Sequence, residues 1–255
     1  MSQDTTPVVL ITGGSRGLGR NAALHLARKG ADIVLTYRNA RDAAEAVRTD
    51  IEALGRKAEI LPLDTGDTAS FGAFVTRLKS VLDTRWQRRT FDGLVNNAGH
   101  GVYKPFTETG EAEFDSLMNV HVKGVYFLTQ ALLPVIADGG RILNVSTGLT
   151  RFAVPGFSAY AAMKGAIEVL TRYQAQELGG RGITVNTLAP GAIETDFGGG
   201  MVRDNADMNA GIAAATALGR VGQPDDIGGA VSSLLLGDFM WTTAQRIEVS
   251  GGQSL

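Results

Sequence analysis

The sequence contains no cysteine, so neither a disulfide framework nor a thiolate metal site is available to it. An excess of one charge is missing too. Lysine and arginine number 24 against 26 aspartates and glutamates, a formal net charge of −2, which leaves no basic surplus for a phosphate backbone. No stretch approaches the ~20 consecutive apolar residues that span a bilayer. The first residues, MSQDTTPVVLITGG, carry no basic segment ahead of their apolar run, so a secretory leader is not expected. Nucleic-acid and membrane partners are therefore not expected, and a reducing, cytoplasmic setting is. No His/Asp/Glu grouping has metal-ligand spacing, so no metal is expected. No Pro/Gly/Ser-rich linker divides the 255 residues, and one domain over 1–255 is expected, because doubly wound α/β folds reach this size undivided.

What is present is a regular alternation. Apolar, β-rich runs occupy 8–12, 32–37, 58–63, 93–96, 141–146, 184–188 and 246–249. Helix-period segments lie between them, among them 41–54, 71–86, 111–136, 158–178 and 224–236, with Gly55 and Gly179 at C-cap positions. Strands alternating with helices predict an α/β fold of three layers, a seven-stranded parallel sheet doubly wound with helices on both faces. Only 192–222, rich in glycine, alanine and methionine, breaks the rhythm.

The first strand runs straight into Thr12-Gly13-Gly14-Ser15-Arg16-Gly17-Leu18-Gly19 and then an apolar helix. Glycines at a strand-to-helix turn suit a dinucleotide. Gly13 takes the turn, Gly17 lets backbone approach a pyrophosphate, and Gly19 permits close packing, while the helix N-terminus attracts the anion. The TGxxxGxG spacing resembles the signature of the short-chain dehydrogenase/reductase family. The rest of the chain matches that family in order: Asp64 ends the third strand, Asn96-Asn97-Ala98-Gly99 follows the fourth, Tyr160-x-x-x-Lys164 opens a long helix, and Pro190-Gly191 follows the sixth strand. The resemblance implies a Rossmann fold and a nicotinamide cofactor. It places Asp64 and Thr65 at the adenine, Asn97, Ala98 and Gly99 on the ribose side, and Pro190, Gly191, Ile193 and Thr195 around the carboxamide. Ser15 and Leu18 fall in the same pyrophosphate loop.

The dinucleotide itself is read from charge at the end of the second strand, where an acidic residue would bind the ribose 2′-OH of NAD. Tyr37 stands there instead, followed by Arg38, and Arg16 lies in the glycine loop. Two guanidiniums can fork onto a 2′-phosphate, so NADP(H) is expected over NAD(H).

Tyr160 and Lys164 are four residues apart, hence on one face of a helix. An ammonium beside a phenol is expected to lower the phenol pKa, fitting Tyr160 to exchange a proton with a carbonyl or alcohol oxygen. Lys164 is also expected to hold the nicotinamide ribose. Two positions depart from the family pattern. Thirteen residues before the tyrosine, where serine is usual, stands Thr147, whose hydroxyl can still bond substrate oxygen. Ser146 precedes it, but adjacent strand residues face opposite ways. In Asn119-Val120-His121-Val122-Lys123-Gly124 the register set by Gly124 puts His121 where the family has a water-holding asparagine. Two readings stand for His121: it holds that water and shows a pH inflection near its ordinary pKa of ~6.5, or it is a satisfied core histidine. His25 and His100 are read as structural or rim residues.

Residues 195–222 are expected to form a lid hinged at Gly198-Gly199-Gly200, with Phe197, Met201, Met208 and Ala213-Ala214-Ala215 as apolar lining. Apolar residues on more than one face of 111–136 and 158–178 predict a homodimer or, as the resemblance implies, a homotetramer. The expected activity is NADPH-dependent reduction of a small-molecule ketone or aldehyde to an alcohol. The rival is a dinucleotide-binding regulator or scaffold that has lost turnover.

Overall fold

All four residues of Val8-Val9-Leu10-Ile11 are buried, because a central parallel strand has no solvent side and must be apolar on both. Alternation sorts them. Val8, Leu10 and Val34 join the core on one face, and Val9, Ile11, Ile33 and Leu35 join the core on the other. Each such side chain contributes about 1.5–3 kcal/mol on burial. The computed structural model describes residues 6–255, so residues 1–5 of the expected domain, and the start of the leader reading, lie outside the described residues.

The seven strands are β1 (Val8–Ile11), β2 (Asp32–Tyr37), β3 (Ala58–Pro62), β4 (Phe91–Asn96), β5 (Ile136–Val145), β6 (Thr184–Pro190) and β7 (Arg246–Val249). They form one sheet in the order β3-β2-β1-β4-β5-β6-β7, every pairing parallel. Helices α1 (Gly17–Arg28), α2 (Arg41–Ala53) and α9 (Pro224–Leu236) cover one face. The other is covered by α3 (Phe71–Trp86), α5 (Gly124–Leu132) and α6 (Ser158–Leu178). Three short helices, α4 (Glu111–Met118), α7 (Met201–Asp204) and α8 (Ala206–Ala214), stand outside this frame. The chain winds from β1 out to β3 and returns to lay β4 beside β1. Strand order therefore reverses between β1 and β4, which opens a crevice at their C-terminal ends.

The expected helix over 111–136 is not continuous. It runs as α4, widens into a π-helical turn at Asn119–Lys123, resumes as α5, and closes in a 3-10 turn at Leu133–Val135. Ile136 already belongs to β5, which pairs with Phe91 before a register shift that reaches Gly93 and Arg141. One residue inserted into a turn rotates the following apolar positions by about 100°, but 111–136 is apolar on more than one face, so the sequence pattern hides it. Gly55 ends α2 in the left-handed region at φ +75°, but Gly179 is right-handed and continues into a 3-10 turn, and Gly182 supplies the positive φ of +68°.

Candidate active site

The glycine loop leaves β1 at the crevice and is pinned there by its neighbours. Asn97 and Ala98 donate backbone N–H bonds to Thr12 Oγ1, both 3.0 Å, and Asn97 Nδ2 donates to the carbonyls of Thr12 (2.9 Å) and Gly13 (3.1 Å). Gly13 and Gly17 have φ of +66° and +52°, which disfavour any side chain. A Cβ on Gly19 would strike Gly13 O and stand 2.6 Å from Asn97 Nδ2, so helix and loop pack as closely as backbone allows. On Gly17, by contrast, a Cβ would meet only Thr195, at 3.9 Å. That opening, with no side chain capping α1 among the described residues, fits a pyrophosphate. Ser15, Leu18 and Gly99 line the same cavity of about 610 Å³.

At the end of the cavity where the resemblance places the adenosine, Tyr37 closes β2 and accepts at its carbonyl from Leu63 N at 2.9 Å. Arg16 and Arg38 are exposed, line the cavity, and have no carboxylate within ion-pair distance among the described residues. Asp64 turns one oxygen back to Gly66 N, and Thr65 is buried beside it. Thr65 O also explains Gly124, since a Cβ there would collide with that carbonyl.

The opposite wall follows β6. Gly191 N donates to Val249 O, Ala192 N to Gln253 Oε1 at 2.9 Å, and Ile193 bridges to Gly222. Pro190, Gly191, Ile193 and Thr195 all line the cavity. Gln253 is a residue the sequence reading missed. Nothing in its neighbourhood signals a role 61 residues away from its partner.

Tyr160 and Lys164 are 7% and 5% exposed and face the cavity from α6. Burial pushes the phenol pKa upward and the amine down to about 7. Lys164 Nζ donates to Val145 O at 2.7 Å and stands 5.7 Å from the Tyr160 ring centre. The expected lowering of the tyrosine is therefore not what the protein alone produces: burial pushes the phenol towards its neutral form. Ser146 Oγ is turned away to Glu168 Oε1 at 2.8 Å, whereas Thr147, extended at φ −159°, borders the cavity and accepts weakly from Leu149 N at 3.3 Å.

His121 lies on the π-helical turn, 1% exposed, its ring 5.3 Å from Tyr160 and edge-on to it. Nε2 is 2.7 Å from His100 O, a bond only the protonated nitrogen can make, so Nδ1 carries the lone pair. Nδ1 is buried and has no hydrogen-bond partner among the described residues. Burial, with Lys164 nearby, pushes the His121 pKa down to about 2. The inflection expected near 6.5 is therefore corrected: this imidazole stays neutral throughout the working range. Gly99 makes room for it, since a Cβ there would lie 2.5 Å from His121 Cε1. His100, read as a rim residue, does line the cavity, and its carbonyl orients His121.

A second set of residues escaped the sequence reading. Glu168 Oε1 accepts from Ser146 Oγ, Thr150 Oγ1 and Arg246 Nε at 2.7–2.8 Å, and Arg246 also reaches Thr147 O at 3.2 Å. Arg151 joins Glu248 to the carbonyls of Gln253 and Ser254. Together they tie the Thr147 turn to β7 and the C-terminal residues. Of the apolar residues expected in 195–222, Phe197, Met201 and Met208 line the cavity; Ala213, Ala214 and Ala215 do not, and Ile212 does. Among the described residues there is no grouping able to hold a metal ion, and no helix long and apolar enough to cross a membrane.

A family model described as enoyl-(acyl carrier protein) reductase matches residues 13–254. A short-chain type dehydrogenase/reductase of Picea abies is 34% identical over 261 aligned positions, covering 96% of this chain and 92% of its own. Among solved structures, the promiscuous reductase LugOII, which catalyses keto-reduction at C1 during lugdunomycin biosynthesis, superimposes with a TM-score of 0.93 at 36% identity over 100% of both chains. The angucycline C-6 ketoreductase LanV with bound NADP follows at 0.92 and 34%, covering 98% of this chain and 96% of its own. With motif order, sheet topology and these similarities in agreement, the chain belongs to the short-chain dehydrogenase/reductase family and is an NAD(P)-dependent oxidoreductase.

Proposed function

We propose that this protein reduces a ketone or aldehyde to an alcohol with NADPH, Tyr160 giving the proton. The observation that carries this reading is the convergence of Tyr160, held neutral by burial, and of Lys164 on a cavity bounded by the glycine loop and by Pro190–Thr195. NADPH, when bound, supplies the hydride. Tyr160 transfers its phenolic proton to the carbonyl oxygen, breaking its own O–H bond as the alcohol O–H forms. The burial that keeps the phenol neutral puts it in the form that reduction consumes. Lys164 stabilises the phenolate left behind, at short range and away from water, and bonds the nicotinamide ribose hydroxyls. Thr147 donates to the carbonyl oxygen and orients it. His121 Nδ1 accepts from a water joined to Lys164, a route by which Tyr160 regains its proton.

Gly13 to Gly19, with Asn97, Ala98 and Gly99, hold the pyrophosphate and ribose. Asp64 and Thr65 border the adenine, and Gly191 to Thr195 hold the carboxamide. Arg16 and Arg38 receive the 2′-phosphate, a preference in keeping with the NADP bound by LanV. Residues 195–222 close over the substrate, turning on Gly198, Gly199 and Gly200, whose φ values of +62°, +75° and +80° already mark a kinked hinge.

The test is NADPH and NADH oxidation with a panel of ketones and aldehydes. Tyr160→Phe is expected to keep NADPH affinity and lose ~10²- to 10⁴-fold in turnover. Near-normal reduction by that variant, or reduction of an enoyl double bond and of no carbonyl, would overturn the reading.

A further inference from the structure

We propose that the substrate half of the cavity is a slot for a flat, uncharged aromatic ketone of two or more fused rings, an inference that rests on the carbonyl-reduction reading above. Tyr103, Phe152 and Phe197, from three separate segments, line this half together with Phe157, and each of the three is seated on a glycine. A Cβ on Gly156 would collide with the Tyr103 ring. One on Gly101 would stand 2.9 Å from Phe197 Cε1, and one on Gly148 would stand 3.0 Å from Phe152 Cε1. The glycines let the Tyr103 and Phe197 rings lie flush against neighbouring segments and the Phe152 ring against its own turn. Backbone bonding holds the arrangement: Lys104 N donates to Gly156 O at 2.9 Å, and Phe157 packs at 5.2 Å against Tyr103.

These rings are not spent on a core. Tyr103 is 61% exposed and Phe197 44%, yet both border a concave cavity, which marks contact area suited to an apolar ligand. Phe197 stands 5.6 Å from the Tyr160 ring, so a carbonyl within reach of the phenol brings its attached carbon frame against an aromatic wall. Met201 and Met208 add polarisable thioethers. Charge is nearly absent here. Besides buried Lys164, Asp196 is the one charged residue lining this half among the described residues, and Arg203 pairs with it at 2.5 Å. Among the described residues lining this half, the phosphate of a carrier-bound acyl chain would find no free cation besides buried Lys164. A planar neutral ring system presents the π-face that aromatic walls favour over a saturated frame of the same outline, by roughly 2- to 12-fold per contact.

The experiment compares 2-tetralone with 2-decalone, two bicyclic ketones whose carbonyls are not conjugated and which differ in one aromatic ring. With saturating NADPH, kcat/KM is expected to favour 2-tetralone by at least about tenfold, carried mainly in KM. The double variant Phe152→Leu with Phe197→Leu, which keeps apolar bulk and removes two rings, is expected to bring that preference towards parity. A binding arm on protein saturated with NADP⁺ compares 2-naphthol with 2-decalol by calorimetry. Equal kcat/KM for the two ketones, or an acetoacetyl thioester outrunning both, overturns the slot and leaves carbonyl reduction standing. If neither ketone is reduced but 2-naphthol binds at least about tenfold more tightly, the slot stands and the reduction reading falls. No reduction and no selective binding overturns both.

Discussion

Replacing His121 by asparagine tests the claim that a buried imidazole here is held neutral. Its pKa of about 2 lies some 4.5 units below the ordinary 6.5, so charging it in the folded protein costs about 6 kcal/mol. The sign of the linkage follows. Below pH 6.5 the unfolded chain binds a proton at this histidine and the folded chain does not, so folding stability rises with pH and is lost as pH falls. The loss is about 1.4 kcal/mol per pH unit, or about 2 kcal/mol between pH 6.5 and pH 5. His121→Asn has no proton to bind at that site. The stability difference between wild type and variant should therefore shrink by about 2 kcal/mol from pH 8 to pH 5, read from urea midpoints at one fixed protein concentration. Turnover should carry no inflection from this residue, so wild-type and His121→Asn pH profiles should run parallel from pH 6 to 9. His121→Leu, which has no acceptor to replace Nδ1, should lower kcat while leaving NADPH affinity intact. A stability difference constant with pH, or a turnover inflection near 6.5 that disappears in His121→Asn, would refute the reasoning.

Arg38→Ala should raise the KM for NADPH about tenfold, the scale of one charge-assisted bond, and leave that for NADH unmoved; parallel changes in paired titrations would make Arg38 an ordinary surface charge. Asp32, 2% exposed, accepts from Arg56 Nε, Lys57 N and Trp86 Nε1 at 2.8–2.9 Å, so Asp32→Ala strands buried donors and should cost about 3–5 kcal/mol in urea unfolding. A loss below about 1 kcal/mol would show that water replaces the carboxylate. Tyr126, Phe127, Val169 and Tyr173 are 42–64% exposed on α5 and α6, an apolar surface that should be covered by a second copy, and sedimentation at micromolar concentration should show a dimer or tetramer and no monomer.

Strand positions were legible in the sequence because a buried parallel strand must be apolar along its whole length. The positions of β2, α3, α6 and α9 follow from that rule and from helical period alone. Gly13, Gly17 and Gly19 were legible for a local reason as well, since positive φ and contact with Gly13 O leave no space for a side chain. The pairing of Tyr160 with Lys164 is a property of helix pitch. Their protonation states are not. Desolvation depends on everything packed around a group, and only the folded chain shows that it leaves the phenol neutral and brings the amine to about 7. The same holds for His121, whose tautomer is set by the carbonyl of His100 and whose neutrality is set by burial. The π-helical turn that carries it, Asn119–Lys123, sits in a run apolar on more than one face, where a change of phase does not show in the pattern. Gln253 meets Ala192, and Arg246 meets Glu168 and Thr147, across 61 to 99 residues of chain. The sequence by itself determined the strands and helices of the sheet, because each is a local consequence of side-chain type and spacing, and it made the candidate site residues legible through the order in which they resemble the family's motifs. Tertiary structure alone decided which of those residues meet, which protons they carry, and which rings wall the cavity, because those depend on distances that packing sets.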